Sequence, residues 1–272
     1  MDYYINVQNV VVCMWWRSKI LILNSDVNKA AYFAYRKAQM VAMGTERLGV
    51  IHVSDLIKPC MRNVMYSKFV PHKYKQMTTE DMKSMFYGQA VHKVTNLSTN
   101  PEDNELFFGY NYEEDKAVTY KEAKKMKPDD PKHLDIIYGS ADDLLDIDGE
   151  LTIVDKKTTG SIDYFSRATS KASESHITQI NCYGVLLDKC YGRKAKRGCN
   201  IYISNSISKE KRDIPVPITY KLGKPEEYLN MMITNARAIK ESLASKELPE
   251  RTRCFLCDGM CPWINQCFGD DE

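Results

Sequence analysis

Apolar and polar positions along this chain change period several times, and the changes mark its elements. Over residues 26–43, Ala30, Phe33, Ala34, Ala38 and Val41 fall on one helical stripe. Thr78-Thr79-Glu80-Asp81 is a helix start, and the helix it opens is expected to run through His92 to about Leu97. Residues 100–133 are polar and charged around Pro128-Asp129-Asp130-Pro131 and read largely as loop. Over residues 136–159 the period falls to two, and Asp148-Gly149 between the apolar runs is a hairpin turn. A helix is expected over residues 173–187, then a short strand at 199–203. Pro215 and Pro217 confine the next extended segment to a sheet edge. Residues 225–246 form a strong helix, and Pro249 closes the body ahead of a cysteine-rich tail. Helices, strands, helix, strand, helix is an α/β order.

Size and charge narrow the picture. A chain of 272 residues can bury a substantial core. Its net charge of +2 excludes a polycation, so contact with nucleic acid must come from local patches, and residues 121–127 and 189–197 are the basic candidates. The nine cysteines are odd in number and unevenly spread, which suits a reducing cytoplasm (the cell's own, or a host's if the protein is viral) rather than a disulfide scaffold. Cys13, Cys182, Cys190 and Cys199 lie among apolar residues and read as packing thiols. Residues 10–23 are apolar but broken by Arg17 and Lys19, too short for a membrane span, and read as a small hairpin or helix.

Chemistry enters at two places. The first is the tail, where Cys254, Cys257, Cys261 and Cys267 fall within fourteen positions, a density that points to zinc or an iron–sulfur cluster. The second is the period-two segment. With Asp148-Gly149 as a two-residue turn, Ile147 pairs with Glu150, Leu144 with Ile153, and Asp142 with Asp155. Opposed residues have Cβ atoms about 4.5–5.5 Å apart, and two carboxylates that close invite a cation between them. Strand alternation puts Lys157 on the face of Asp155 and Lys156 on the other. Spacing thereby selects Asp142 over Asp143 and Lys157 over Lys156. The same spacing also describes an acidic, solvent-facing hairpin with ion pairs.

Gly139-Ser-Ala-Asp142 followed by Asp155-Lys156-Lys157 resembles the G-x-x-D…(D/E)-x-K core of the PD-(D/E)XK nucleases, and more specifically the RecB-like exonucleases. Gly88-Gln-Ala-Val-His92 resembles that branch's metal-binding histidine helix, and Gln179-Ile-Asn-Cys-Tyr183 its Q-x-x-x-Y helix. Ser54-Asp-Leu56 to Cys60-Met-Arg62 resembles its N-terminal S-x-L…C-x-R segment. The resemblance spans residue 51 to the C-terminus. It implies a restriction-endonuclease-like mixed sheet flanked by helices over residues 51–250, a cluster-closing tail at 251–272, and leaves residues 1–50 as an extension without assignment.

Further implications come from the resemblance alone. His92, Asp142, Asp155 and the Lys156 carbonyl would bind Mn2+ or Mg2+, and Lys157 would assist the attacking water. Gln179 and Tyr183 would position the strand, and single-stranded DNA or DNA with a free end would be the substrate. Partners would come from recombination or CRISPR adaptation, and none of this involves a membrane. Iron–sulfur members of the branch hold a [4Fe–4S] cluster with one early and three late cysteines, here Cys60, Cys257, Cys261 and Cys267. Cys254 is the alternate ligand, because the spacing before Cys261 departs from the usual pattern. Two other readings stay open: a non-catalytic DNA-binding or redox-sensing module, and a structural protein whose four tail thiols bind Zn2+ without Cys60.

Overall fold

A computed structural model describes residues 5–7, 10–12, 50–68, 87–88, 90–91, 95, 97–98, 100–127, 130–167, 170–205 and 215–251, and in the tail 253–254, 257–258, 261 and 263–268. The expected helix at 26–43, the start of the helix at 78–97, Cys13 and His92 lie outside the described residues. The chain divides into two units, Met1–Glu46 and Arg47–Glu272. In the first, β1 (Ile5–Val7) and β2 (Val10–Val12) form an antiparallel ribbon with Ile5 opposite Val12.

The second unit is a mixed, mostly antiparallel sheet flanked by helices. Among the described residues its seven strands are β3 (Ile51–His52), β4 (Asn104–Asn111), β5 (Lys116–Ala117), β6 (Ile136–Ile147), β7 (Glu150–Thr159), β8 (Arg197–Ser204) and β9 (Val216–Lys221). They lie in the order β5-β4-β6-β7-β8-β9, with β3 beside β6; β3 runs parallel to β6 and β7 parallel to β8. Asp148 and Gly149 both take the left-handed conformation, at φ 56° and 77°, as a two-residue hairpin demands. Among the described residues β9 pairs with β8 alone, so Pro217, opposite Ile201, lies in an edge strand as expected.

β4 corrects the reading of residues 100–133 as loop. Leu106-Phe107-Phe108-Gly109-Tyr110 is a strand along most of β6, with Phe108 and Tyr110 buried. Its apolar run is short, and its charged flanks dominate any average taken over the region. Thr95 and Leu97 are not helical, so the helix that includes Gly88 and Val91 stops short of the expected end.

Helices α1 (Val53–Leu56) and α2 (Met61–Lys68) follow β3, and α3 (Tyr120–Lys125) follows β5. α4 (Ile162–Phe165) follows β7, then come α5 (Glu174–Tyr191), α6 (Pro225–Ser245) and, in the tail, α7 (Ile264–Phe268). α5 outruns its expected end by a turn and stops at left-handed Gly192. It is buried nearly all round, from Ile180 to Leu187, because it packs on the strands with one side and on α6 with the other. α6 turns inward a stripe of Met232, Ala236, Ile239 and Ser242, and its Asn235 Nδ2 donates to the Leu56 carbonyl 2.7 Å away. Among the described residues, no helix is long and apolar enough to cross a membrane.

Candidate active site

The sheet forks within the hairpin β6–β7. The two strands pair from Ile147↔Glu150 to Asp143↔Val154 and then separate, while β7 continues beside β8 through Thr159. The expected register is right, but the ladder ends one step before Asp142 and Asp155, which therefore do not form a ladder pair. Instead the Asp142 carboxylate takes over a ladder bond: its Oδ2 accepts the Lys156 N–H at 2.5 Å. That amide belongs to the peptide joining Asp155 to Lys156, so both carboxylates adjoin one peptide at the fork.

On one face of β7 the side chains form a continuous hydrogen-bonded series. Lys157 Nζ lies 2.8 Å from Asp155 Oδ2 and donates to Gln179 Oε1 at 2.8 Å. Gln179 Nε2 donates to Tyr183 Oη, also at 2.8 Å. An ammonium only donates, which fixes the amide's orientation. At the other end, Asn200, the register partner of Asp155 on β8, donates to Asp155 Oδ2 at 3.2 Å and accepts from Tyr220 Oη at 2.8 Å. Gly139 makes room for this arrangement: a Cβ there would stand 3.1 Å from Tyr183 Cε1 and 3.3 Å from Val53 Cγ2. The structure thus gathers Asp142, Asp155, Lys157, Gln179 and Tyr183 around the fork. A Cβ at helical Gly88 would meet Thr158 Oγ1 at 3.4 Å, so this part of the chain approaches the end of β7.

The opposite face of β7 carries a feature that spacing alone passed over. Lys156 and Asp143 are both almost fully buried and pair at 2.8 Å. The ammonium also donates to the Thr95 carbonyl. Asp143 Oδ1 accepts the N–H groups of Leu97 at 2.9 Å and Ser98 at 3.3 Å. The pair anchors the segment after the histidine helix. The doubled residues Asp142-Asp143 and Lys156-Lys157 were the available signal, since alternation sends one carboxylate and one ammonium to each face.

Beside Lys157 in the register is Tyr202 on β8. Its hydroxyl accepts the Ser173 N–H at 3.1 Å and lies 2.9 Å from His176 Nδ1, one turn before Gln179 on α5. Burial, and then the charge of Lys157, push the His176 pKa down to about 4. Phe165 stacks flat on Tyr202, with centroids 3.6 Å apart and planes at 7°. Nothing in the sequence singled out this aromatic group.

The tail cysteines converge on α2. Cys60, Cys254, Cys257, Cys261 and Cys267 line one cavity, closed by Tyr66 and Trp263, whose rings stack at 5.7 Å. Trp263 Nε1 donates to Ser67 Oγ at 3.1 Å, and Asn63 Nδ2 lies 3.6 Å from Cys261 Sγ. Cys254 and Cys257 Sγ are 3.9 Å apart. All five are free thiols, the donor chemistry that iron–sulfur and zinc sites require. They do not stand in preformed ligand geometry: among the described residues, no group of three or more His, Cys, Asp or Glu side chains is close enough to hold a metal ion. Cys182 and Cys199 are buried and Cys190 half-buried, and burial raises all three thiol pKa values, to about 12 for Cys182 and about 11 for Cys190.

Of the two basic stretches, residues 189–197 have each of their five cations paired, but with four carboxylates between them. Lys189 pairs with Asp115, Arg193 with Asp103, Lys194 with Asp188, and both Lys196 and Arg197 with Glu150. Residues 121–127 lie mostly on α3, an exposed helix closed by a Thr119–Glu122 capping box.

The sequence matches no protein-family model and no curated protein. Among solved structures, the chain is similar to SSO0001 at 17% identity and a TM-score of 0.44, over 88% of this chain and 96% of that one. It is also similar to LHK-Exo in complex with dAMP, at 11% identity and a TM-score of 0.37, over 74% of this chain and 90% of that one. The alkaline exonuclease LHK-Exo from Laribacter hongkongensis matches at 12% identity and a TM-score of 0.36, over 75% and 96% of the two chains.

Proposed function

We propose that this chain is a metal-dependent deoxyribonuclease that hydrolyses phosphodiester bonds at DNA ends, preferring single strands, with a [4Fe–4S] cluster securing its tail. The observation that carries the reading is the hydrogen-bonded series Tyr183–Gln179–Lys157–Asp155, ending at the fork where the Asp142 carboxylate meets the Asp155–Lys156 peptide. Asp142 and Asp155, with His92 and the Lys156 carbonyl, would hold Mn2+ or Mg2+, hard ions that favour oxygen ligands. Such an ion, when bound, supplies a Lewis acid for the phosphate and an acidified water.

The side chains do the rest. Lys157 presents a fixed positive charge to phosphate oxygens on which negative charge grows. Gln179 holds that ammonium and Tyr183 holds Gln179, so the charge is oriented before substrate arrives. Asn200, held by Tyr220, aims Asp155 from the other side.

Cys60, Cys257, Cys261 and Cys267 would hold the cluster, with Cys254 as a spare thiol. The cavity supports this staple over a knuckle built from the tail alone, because Cys60 faces it together with the tail cysteines. Its role would be structural, tying α2 to the end of the chain.

The test is digestion of end-labelled single- and double-stranded DNA with Mn2+. Single strands should be degraded by the wild type and about 10²–10³-fold more slowly by Lys157→Ala, the usual cost of losing one transition-state donor. No digestion by the wild type, or equal and chelator-insensitive digestion by both, would reject the nuclease. Protein purified without oxygen should be brown and contain iron and labile sulfide, and Cys60→Ser should lose both. Zinc content that survives Cys60→Ser would reject the cluster.

A further inference from the structure

The structure carries an exposed aromatic ring, Tyr164, on a mount that begins at Tyr202, the strand neighbour of Lys157. We propose that Tyr164 is a stacking platform for an unpaired nucleobase of the strand whose phosphodiester lies at Lys157. The proposal rests on the nuclease reading and deepens it by naming what meets the substrate next to the scissile bond.

The mount starts at Tyr202, the neighbour of Lys157 across β7 and β8, which shares its face of the sheet. Tyr202 is 1% exposed and tied through its hydroxyl to Ser173 and His176. Phe165 covers its face in flat contact. Tyr164 meets Phe165 edge-on, with centroids 5.0 Å apart and planes at 89°. α4, which carries both rings, is short but pinned. Ile162 is buried with Ala172 and Tyr202 in a small apolar cluster separate from the main core. The Ser166 N–H donates to the Ile162 carbonyl at 3.0 Å, and Ser170 Oγ donates to the Tyr164 carbonyl.

Tyr164 ends this stack 55% exposed. An aromatic ring held in water on a fixed base is suited to an incoming flat, apolar partner. Within a duplex, both faces of a base are already covered by its neighbours. A ring at this place can stack only on a base with a free face, at a strand end or in a single strand. Stacking of this kind is indifferent to base identity. The loop after the ring adds exposed Arg167 and Lys171 against Asp163 on α4, a modest positive balance for the strand's backbone.

A 12-nucleotide single strand ending in 2-aminopurine, whose fluorescence falls when it stacks, is the probe. It is titrated into wild type, Tyr164→Ala, Tyr164→Phe and Tyr164→Trp in chelator, where no cleavage occurs. The wild type, the Phe variant and the Trp variant should quench the probe. The Ala variant should lose the quench and bind roughly tenfold more weakly, within the range for one lost base–aromatic contact. A covalently closed circular duplex, in which every base is covered on both faces, should bind all four alike. Equal quenching and affinity in wild type and Tyr164→Ala overturns the proposal, as does a Phe variant that fails like Ala. The two readings separate cleanly. Wild type that quenches the probe but never cleaves DNA in Mn2+ leaves the platform standing and removes the nuclease. Wild type that cleaves, with Tyr164→Ala identical in binding, removes only the platform.

Discussion

Lys156 and Lys157 are chain neighbours on one strand, yet they serve opposite ends. The Lys156 side chain is 2% exposed and locked to a carboxylate that is 0% exposed; that of Lys157 is 22% exposed and shared between Asp155 and an amide oxygen. Each has an acidic partner at 2.8 Å. What differs is water. A dry ion pair costs desolvation that only its partner offsets, so losing either half leaves a stranded charge. Lys157 keeps contact with water although its partner Asp155 is only 4% exposed, so its ammonium stays available. One strand thus presents a buried anchor on one face and a partly exposed ammonium on the other.

Substitutions should separate the two roles, and the largest effect should come from the dry side. Lys156→Ala strands the Asp143 carboxylate and should cost about 3–5 kcal/mol in urea unfolding, and Lys157→Ala should cost less, because Asp155 keeps its hydrogen bond from Asn200. Activity should reverse the order: Lys157→Ala should fold normally and lose about 10²–10³ in turnover. A folded Lys156→Ala as stable as wild type would erase the contrast. Next in size, Gly139→Ala should cost about 1–3 kcal/mol by overpacking, since the new methyl presses on the ring of Tyr183. It should also lower turnover, because Tyr183 holds Gln179.

A pH series sharpens the wet side. His176 titrates at about 4 when folded, against about 6.5 in an unfolded chain. Between these values the unfolded state binds the extra proton. The contribution to stability is therefore complete above about pH 6.5 and falls away as pH drops towards 4. His176→Gln should flatten that part of the stability–pH curve, measured as the difference from wild type because carboxylates titrate in the same window. The smallest effect should belong to the double variant Asp143→Leu with Lys156→Met. An apolar pair in place of the buried ions should recover part of what Lys156→Ala loses, because the N–H groups of Leu97 and Ser98 still lack the acceptor that Asp143 supplied.

Much of this arrangement was legible before any coordinates. The Asp148-Gly149 turn set the register of β6 and β7, and alternation assigned the two lysines to their faces. Spacing failed where geometry is set by a third element. The ladder stops at Asp143↔Val154 because β7 follows β8, and no local pattern in residues 136–159 reports that divergence. β4 was hidden by its polar surroundings. The ion pairs over residues 189–197 were invisible because Asp103, Asp115 and Glu150 are distant in sequence. The aromatic stack escaped for the same reason: Phe165 and Tyr202 belong to different elements and match no motif.

The margins of the large sheet bear on how the molecule meets others of its kind. On one side the outermost strand is two residues long, and on the other it contains a proline, which has no amide hydrogen to offer. Among the described residues, the proline removes one backbone donor from the rim at β9, which weakens it as a template for a foreign strand. Self-association through continuous β-structure is thereby disfavoured at the proline-bearing border.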